Sequence, residues 1–115
     1  MRLRYAILFC CAALPARAEF QPVETRDAFV GLIEGRSLTR AGVALQVSPG
    51  GDITGRAFGR DVTGRWRWQD GYFCRSLSWG STGFDDNCQA VARDGARLRF
   101  TSDRGSGQSA ILSLR

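Results

Sequence analysis

The arginines in the middle of the chain are the residues with the clearest chemical potential. Five of them fall within twenty residues, with only Asp61 and Asp70 to balance them: Arg56, Arg60, Arg65, Arg67 and Arg75. A guanidinium binds carboxylates, sulfates or phosphates through paired hydrogen bonds, and nearby aromatic rings add stacking. We therefore predict a contact surface composed of Arg65, Arg67, Arg75, Trp66, Trp68, Tyr72 and Trp79. The alternative is that arginine, as the only cationic residue type, merely supplies the polar outer face of strands.

The three tryptophans, which lie at positions 66, 68 and 79, have two interpretations of their own. In a domain of this size their large rings belong by default to the core. They would instead line a ligand site if a barrel left a cavity open at its mouth. The sequence leaves both interpretations open.

A second cluster is acidic and lies in the segment 80–87, which reads GSTGFDDN. Its glycines predict an irregular, solvated loop with four candidate contact residues, Phe84, Asp85, Asp86 and Asn87. The two carboxylates could act as acid and base or help to hold Ca²⁺. However, adjacent residues of an extended chain point apart, and the alternating ligand spacing of an EF-hand is missing. The segment could also serve as the wedge of a protein inhibitor.

The chain has no histidine and no lysine, and this excludes much enzyme chemistry. Ser-His-Asp and Cys-His nucleophiles, histidine acid–base catalysis, P-loops and Schiff-base chemistry all need one of these residues. The Gly105-Ser106-Gly107 segment lacks the strand, helix and acidic residue of a dinucleotide fingerprint. We therefore predict a protein that is not an enzyme and has no cofactor.

Residues 1–18 have the pattern of a cleaved secretory signal. Early arginines precede an apolar stretch over 5–14, and Pro15 and small alanines precede the expected cleavage after Ala18. Ten apolar residues are too few to span a bilayer. Residues 19–115 then form a single domain with 13 arginines and 11 acidic residues, so the net charge falls from +5 to +2 and does not favour nucleic-acid binding.

Two cysteines, Cys74 and Cys88, remain after cleavage of the signal, and export would place them in an oxidising compartment. In an oxidising compartment such a pair normally forms a disulfide. The sequence therefore predicts a Cys74–Cys88 bond in a periplasmic or extracellular protein.

The elements that must position these residues are one helix and seven strands. Thr25 can cap a helix whose apolar stripe is Phe29, Leu32 and Ile33 and which ends at Gly35. Alternation then predicts the strands 43–47, 53–58, 62–68, 72–79, 88–92, 96–101 and 109–114. Turn signals such as Asp-Gly between them predict an antiparallel meander. We expect a mainly β domain with one N-terminal helix, forming a curved sheet or small barrel.

Four segments together carry a resemblance: Gly64-Arg65-Trp66-Arg67-Trp68, Asp70-Gly71-Tyr72-Phe73-Cys74-Arg75, Asn87-Cys88-Gln89 and Phe100-Thr101-Ser102-Asp103-Arg104-Gly105. The chain resembles a family of short exported alphaproteobacterial proteins of unknown function, over nearly all of residues 19–115. Members often carry the name dihydrodipicolinate reductase. That activity needs a dinucleotide-binding domain and active-site histidine and lysine, which this chain lacks, so the resemblance implies no catalytic residue.

The sequence thus favours an exported binding or interaction module. Its partner would be an envelope protein or a small anionic or apolar ligand, and no membrane-spanning segment is expected. The alternative is an inhibitor of an envelope hydrolase that acts through the segment 80–87.

Overall fold

The computed structural model describes residues 19–115, and the predicted signal, residues 1–18, lies outside the described residues. In chain order the strands are β1 (Gln21–Val23), β2 (Ser37–Arg40), β3 (Val43–Val47), β4 (Asp52–Ala57), β5 (Arg60–Gln69), β6 (Tyr72–Trp79), β7 (Thr82–Asp94), β8 (Arg97–Thr101) and β9 (Ser109–Leu114). A helix, α1 (Arg26–Ile33), lies between β1 and β2, and a short 3₁₀ turn (Asp103–Gly105) lies between β8 and β9.

Strands β2 to β9 form a closed antiparallel barrel of eight strands. Each strand pairs with the next one along the chain, and the ring closes where Leu38 of β2 pairs with Leu114 of β9. β1 is an extra strand that pairs with the second half of β7. The predicted β-rich meander is therefore confirmed, and of the two expected forms it takes the barrel, in which closure removes the sheet edges.

The side chains alternate across the barrel wall between the interior and the exterior. On β8, Leu98 and Phe100 are buried, whereas Arg97 and Arg99 lie on the outer face. The guanidinium carbons of these two arginines are 5.2 and 4.6 Å from the ring centroid of Phe20. This alternation separates an apolar interior from a wet exterior because successive residues of a strand point to opposite faces.

Helix α1 closes one end of the barrel, which we call the closed end. Thr25 caps the helix by accepting a hydrogen bond from Ala28 N at 3.2 Å, and the chain leaves it through Gly35 at φ 72°. Phe29 is fully buried, with its ring centroid 5.1 Å from that of Phe73 and 5.3 Å from that of Trp66. The helix is short, so its stability comes from this packing rather than from intrinsic propensity.

The sequence prediction was wrong in two places. β1 and β2 were not predicted, because three and four residues are too few to show a period. The segment 80–87 is not an irregular loop: a two-residue turn at Gly80-Ser81 joins Trp79 of β6 directly to Thr82 of β7. Gly80 adopts φ 56°, which lets the chain reverse tightly, so β7 begins six residues before the predicted strand.

The Cys74–Cys88 disulfide is present, with an S–S distance of 2.05 Å. The two cysteines are directly opposite each other on β6 and β7, and Cys74 is fully buried. The bond therefore fixes the register of these two strands.

Gly64 is a position where the barrel tolerates no side chain, and this gives a first testable prediction. A Cβ there would overlap the backbone oxygen of Ser76 and lie 2.8 Å from Leu77 Cδ2, because the backbone of β6 and the Leu77 side chain together occupy the space above Gly64. Gly64→Ala should lower the free energy of unfolding by about 1–3 kcal/mol, the usual cost of overpacking. Urea denaturation measures it.

Gly83 provides the matched control for this prediction, since it also lies in a strand but a Cβ there would meet nothing within 4 Å. Gly83→Ala should change the free energy of unfolding by less than about 0.5 kcal/mol. Equal losses in the two variants would show that close packing at Gly64 is not the cause.

Candidate ligand-binding site

The predicted contact surface is divided among several places. Arg65 and Arg67 lie exposed on the outer face of β5, whereas Trp66 and Trp68 between them face the interior. Tyr72 lies on the outer face, with the guanidinium carbon of Arg104 5.6 Å from its ring centroid. The seven residues thus do not form one surface, because neighbours on a strand point to opposite sides.

The outer arginines have acidic partners within the domain. Arg65 Nη1 is 2.6 Å from Asp52 Oδ1, and Arg56 Nη1 is 2.6 Å from Asp61 Oδ1. These exposed pairs add little to stability. They do neutralise the positive field that the sequence suggested.

Arg67 is paired to Asp86 in the same way. Its Nη1 and Nη2 donate to the two carboxylate oxygens of Asp86 at 2.9 and 3.1 Å. These hydrogen bonds lower the pKa of Asp86 and raise the pKa of Arg67. Of the two adjacent acidic residues, Asp86 therefore serves as the ion-pair partner of Arg67.

A bulge in β7 accounts for the position of both acidic residues. Arg75 pairs with Asn87, but two residues further along β6 Leu77 pairs with Phe84, so β7 has one extra residue at Asp85 and Asp86. Such a bulge redirects side chains.

Within residues 19–115 no group of three or more cysteine, histidine or acidic residues could hold a metal ion.

Two of the tryptophans belong to the closed end. Trp66 is buried and its indole N–H donates to Ser48 O at 2.8 Å, while the indole N–H of the half-buried Trp68 donates to Glu24 O at 3.2 Å. Both rings pack against Phe29. For these residues the core interpretation is correct.

The opposite end of the barrel is open. Along β3, Val47 is buried whereas Leu45 and Val43 are half-buried, although all three face the interior. Along β6, Phe73 is buried whereas Trp79 is half-buried. We call this the open end, because its interior side chains reach solvent.

Inside the barrel lies a cavity of about 320 Å³, which we call the inner cavity. Its apolar lining residues are Leu38, Leu45, Val47, Ile53, Phe73, Leu77, Phe100, Ala110 and Leu112. Its polar lining residues are Arg75, Gln89, Ser102, Gln108 and Ser109. The volume is near the lower limit of small-molecule sites, which are roughly 300–1,000 Å³, and the mostly apolar lining with a few polar groups is typical of them.

Within residues 19–115, Arg75 is the one charged residue that lines the inner cavity. It shares the inner face of β6 with Phe73 and Leu77, unlike the outward-facing Arg65 and Arg67. Its Nη1 donates to Asp85 O at 3.1 Å. Burial lowers the pKa of Arg75, opposed by the charge of Asp86, and a guanidinium remains protonated at neutral pH.

Neutral polar groups continue the wall beside Arg75. The side-chain amide of Gln89, which is buried, donates to Ser102 Oγ at 3.2 Å. Asn87 holds the β8–β9 loop: its Nδ2 donates to Asp103 Oδ1 at 2.8 Å, and its Oδ1 accepts from Asp103 N at 3.0 Å. One wall of the cavity is therefore polar and cationic, and the rest is apolar.

A second cavity of about 260 Å³, the outer cavity, lies at the open end. Its lining is almost entirely apolar: Val43, Leu45, Ala57, Phe58, Val62, Leu77, Ser78, Trp79 and Phe84. Leu45 and Leu77 line both cavities, so they stand between the two. Phe58 and Phe84 are exposed large apolar side chains, 69% and 48% accessible, at the rim.

Of the site residues predicted from the sequence, Arg75 lines the inner cavity. Trp79 and Phe84 line the outer cavity. Sequence reasoning missed Leu45, Gln89 and Gln108. Alternation marks Leu45 as facing inward, but no sequence signal shows that the space in front of it is empty.

Within residues 19–115 no helix combines the length and apolar character needed to cross a bilayer. Comparisons with protein-family models, with curated proteins and with solved structures give no match. The function must therefore be argued from the cavities and the residues that line them.

Proposed function

We propose that the protein is an exported binding module that holds a small apolar molecule with an anionic group inside its barrel. The observation that carries this proposal is the inner cavity, whose mostly apolar lining includes one charged side chain, Arg75. The N-terminal signal pattern and the Cys74–Cys88 bond support export.

The pairing of charges favours Arg75 over the other arginines as the ligand contact. Arg65 and Arg67 each face an acidic side chain at 2.6–2.9 Å, so an incoming anion would have to compete with it. The hydrogen bond of Arg75 described above goes to a backbone carbonyl, which leaves its charge without a directly bonded carboxylate. A partly buried guanidinium also forms stronger charge-assisted hydrogen bonds than an exposed one.

Binding is favoured over catalysis because the lining lacks a nucleophile–base pair. Arg75 remains protonated, and glutamine and serine are not bases at neutral pH. We give the inhibitor alternative less weight, since the segment on which it depends is a tight turn followed by strand rather than an irregular loop.

Binding of octanoate tests this proposal, with octanol as the uncharged comparison. Arg75→Met should weaken octanoate binding by about 10- to 100-fold, the equivalent of one or more charge-assisted hydrogen bonds, and leave octanol binding nearly unchanged. Isothermal titration calorimetry measures both ligands.

Arg65→Met is the matched control, because it removes the same charge from the outer face of the barrel. It should leave the affinity for octanoate within about twofold of the wild type, since exposed charges are screened at physiological salt. The proposal fails if the wild-type protein does not bind octanoate, or if the two arginine variants weaken its binding equally.

A further inference from the structure

The two cavities adjoin each other, and this bears on the length of the ligand. The inner cavity contains the polar wall with Arg75, whose members Gln108 and Ser109 are exposed, and the outer cavity adjoins it on the apolar side. Leu45 and Leu77 are common to both linings and are only half-buried. A ligand that occupies both cavities must run past these two side chains, and a narrow, flexible chain meets this requirement more easily than a wide, rigid ring system.

The chemistry of the two linings differs along this path. The inner cavity offers the positive charge of Arg75 and the amides of Gln89 and Gln108. The outer cavity offers apolar side chains from Val43 to Phe84, with aromatic rings at the rim. A molecule that satisfies both has an anionic head at one end and a long apolar chain at the other.

We infer that the ligand is a single-chain carboxylate amphiphile, with its head at Arg75 and its chain extending between Leu45 and Leu77 into the outer cavity. The inference rests on the proposed function and adds the class and length of the ligand. The exposed rings of Phe58 and Phe84 then have a role, which is to cover the distal part of the chain. Large exposed apolar side chains clustered at a cavity mouth are typical of binding sites.

Chain length is the variable that tests the inference. Dodecanoate has four more methylene groups than octanoate, and each buried methylene is worth about fourfold in affinity. The wild-type protein should therefore bind dodecanoate at least about tenfold more tightly than octanoate, measured by calorimetry below the concentration at which dodecanoate aggregates. Dodecanol should bind more weakly than dodecanoate.

Ala57→Trp is the decisive variant, because Ala57 lines the outer cavity but not the inner one. A tryptophan there should abolish the advantage of dodecanoate and leave octanoate affinity within about twofold of the wild type. Phe84→Ala is a second variant for the case that Ala57→Trp does not fold. It should weaken dodecanoate binding by about three- to tenfold.

Ile111→Ala is the matched control for Phe84→Ala, since Ile111 is also an exposed apolar side chain but lies outside both linings. It should leave both affinities unchanged. The inference is overturned if dodecanoate binds no more tightly than octanoate, if Ala57→Trp retains the advantage, or if dodecanol matches dodecanoate. In those cases Arg75-dependent octanoate binding still supports the proposed function, whereas absence of octanoate binding removes both proposals.

Discussion

Phe29→Ala is expected to lower the free energy of unfolding by about 3–5 kcal/mol, the range for truncating a buried phenylalanine. The Phe29 ring is fully buried and contacts Trp66, Trp68, Phe73 and Phe100. Removing it takes away the side chain that fills the closed end of the barrel. The intrinsic helix propensity improves with alanine, so the loss must come from packing. Urea denaturation followed by tryptophan fluorescence measures it.

Leu32→Ala provides the comparison on the same helix. Leu32 is half-buried and packs at the margin of the core. Its truncation should cost less than half as much as that of Phe29, because a site close to solvent collapses more easily around a missing side chain. If Phe29→Ala does not fold, Phe29→Leu keeps the test available, and it should still cost more than Leu32→Ala. Equal costs at the two positions would contradict the role of Phe29 as the plug.

Loss of the disulfide is expected to have the second largest effect. The chain between Cys74 and Cys88 forms a loop with a sequence separation of 14. In the chain-entropy model, opening such a loop destabilises the protein by about 3 kcal/mol. The double variant Cys74→Ala, Cys88→Ala should therefore melt roughly 10–20 °C lower than the wild type in differential scanning calorimetry.

Reduction of the wild-type protein is the control for this variant. A thiol reductant should lower the melting temperature of the wild type and leave that of the double variant unchanged. If the oxidised wild type and the double variant melt at the same temperature, the bond does not stabilise the folded state.

Local signals explain how much of the fold could be predicted. Asp70 and Gly71 both adopt positive φ, 54° and 83°, as their turn requires, and the helix has the cap and stop that Thr25 and Gly35 indicate. β1 and β2 could not be predicted in this way. β1 is held by a partner far away in the sequence, since Val23 pairs with Val91. β2 pairs with the neighbouring β3, but its place in the ring also depends on the distant β9, where Leu38 pairs with Leu114. A short strand of this kind depends on tertiary pairing rather than on its own residues.

The residues of the candidate site could be predicted only in part from the sequence. The sequence singled out arginines by their density, but density does not show which side of the sheet each one faces. Strand β6 illustrates this: Arg75 lies on the same face as Phe73, in the interior, while Cys74 between them points to the opposite face and is buried there. The alternation along β6 was visible in the sequence, yet the emptiness of the interior depends on the distance across the closed barrel, which only the three-dimensional fold defines.

The closure of the barrel between β2 and β9 has a consequence for how the protein folds. Ser37 and Arg115 exchange both backbone hydrogen bonds at 2.9 Å, so the seam joins the first and last strands of the ring. The two strands of the seam are the ones farthest apart in the sequence of the ring, and such non-local contacts are expected to give slow folding, in the range of milliseconds to seconds. Until then β2 and β9 present unpaired edges. We therefore expect the unsealed meander to be the species most prone to aggregation, and conditions that hasten the β2–β9 pairing to improve refolding yield.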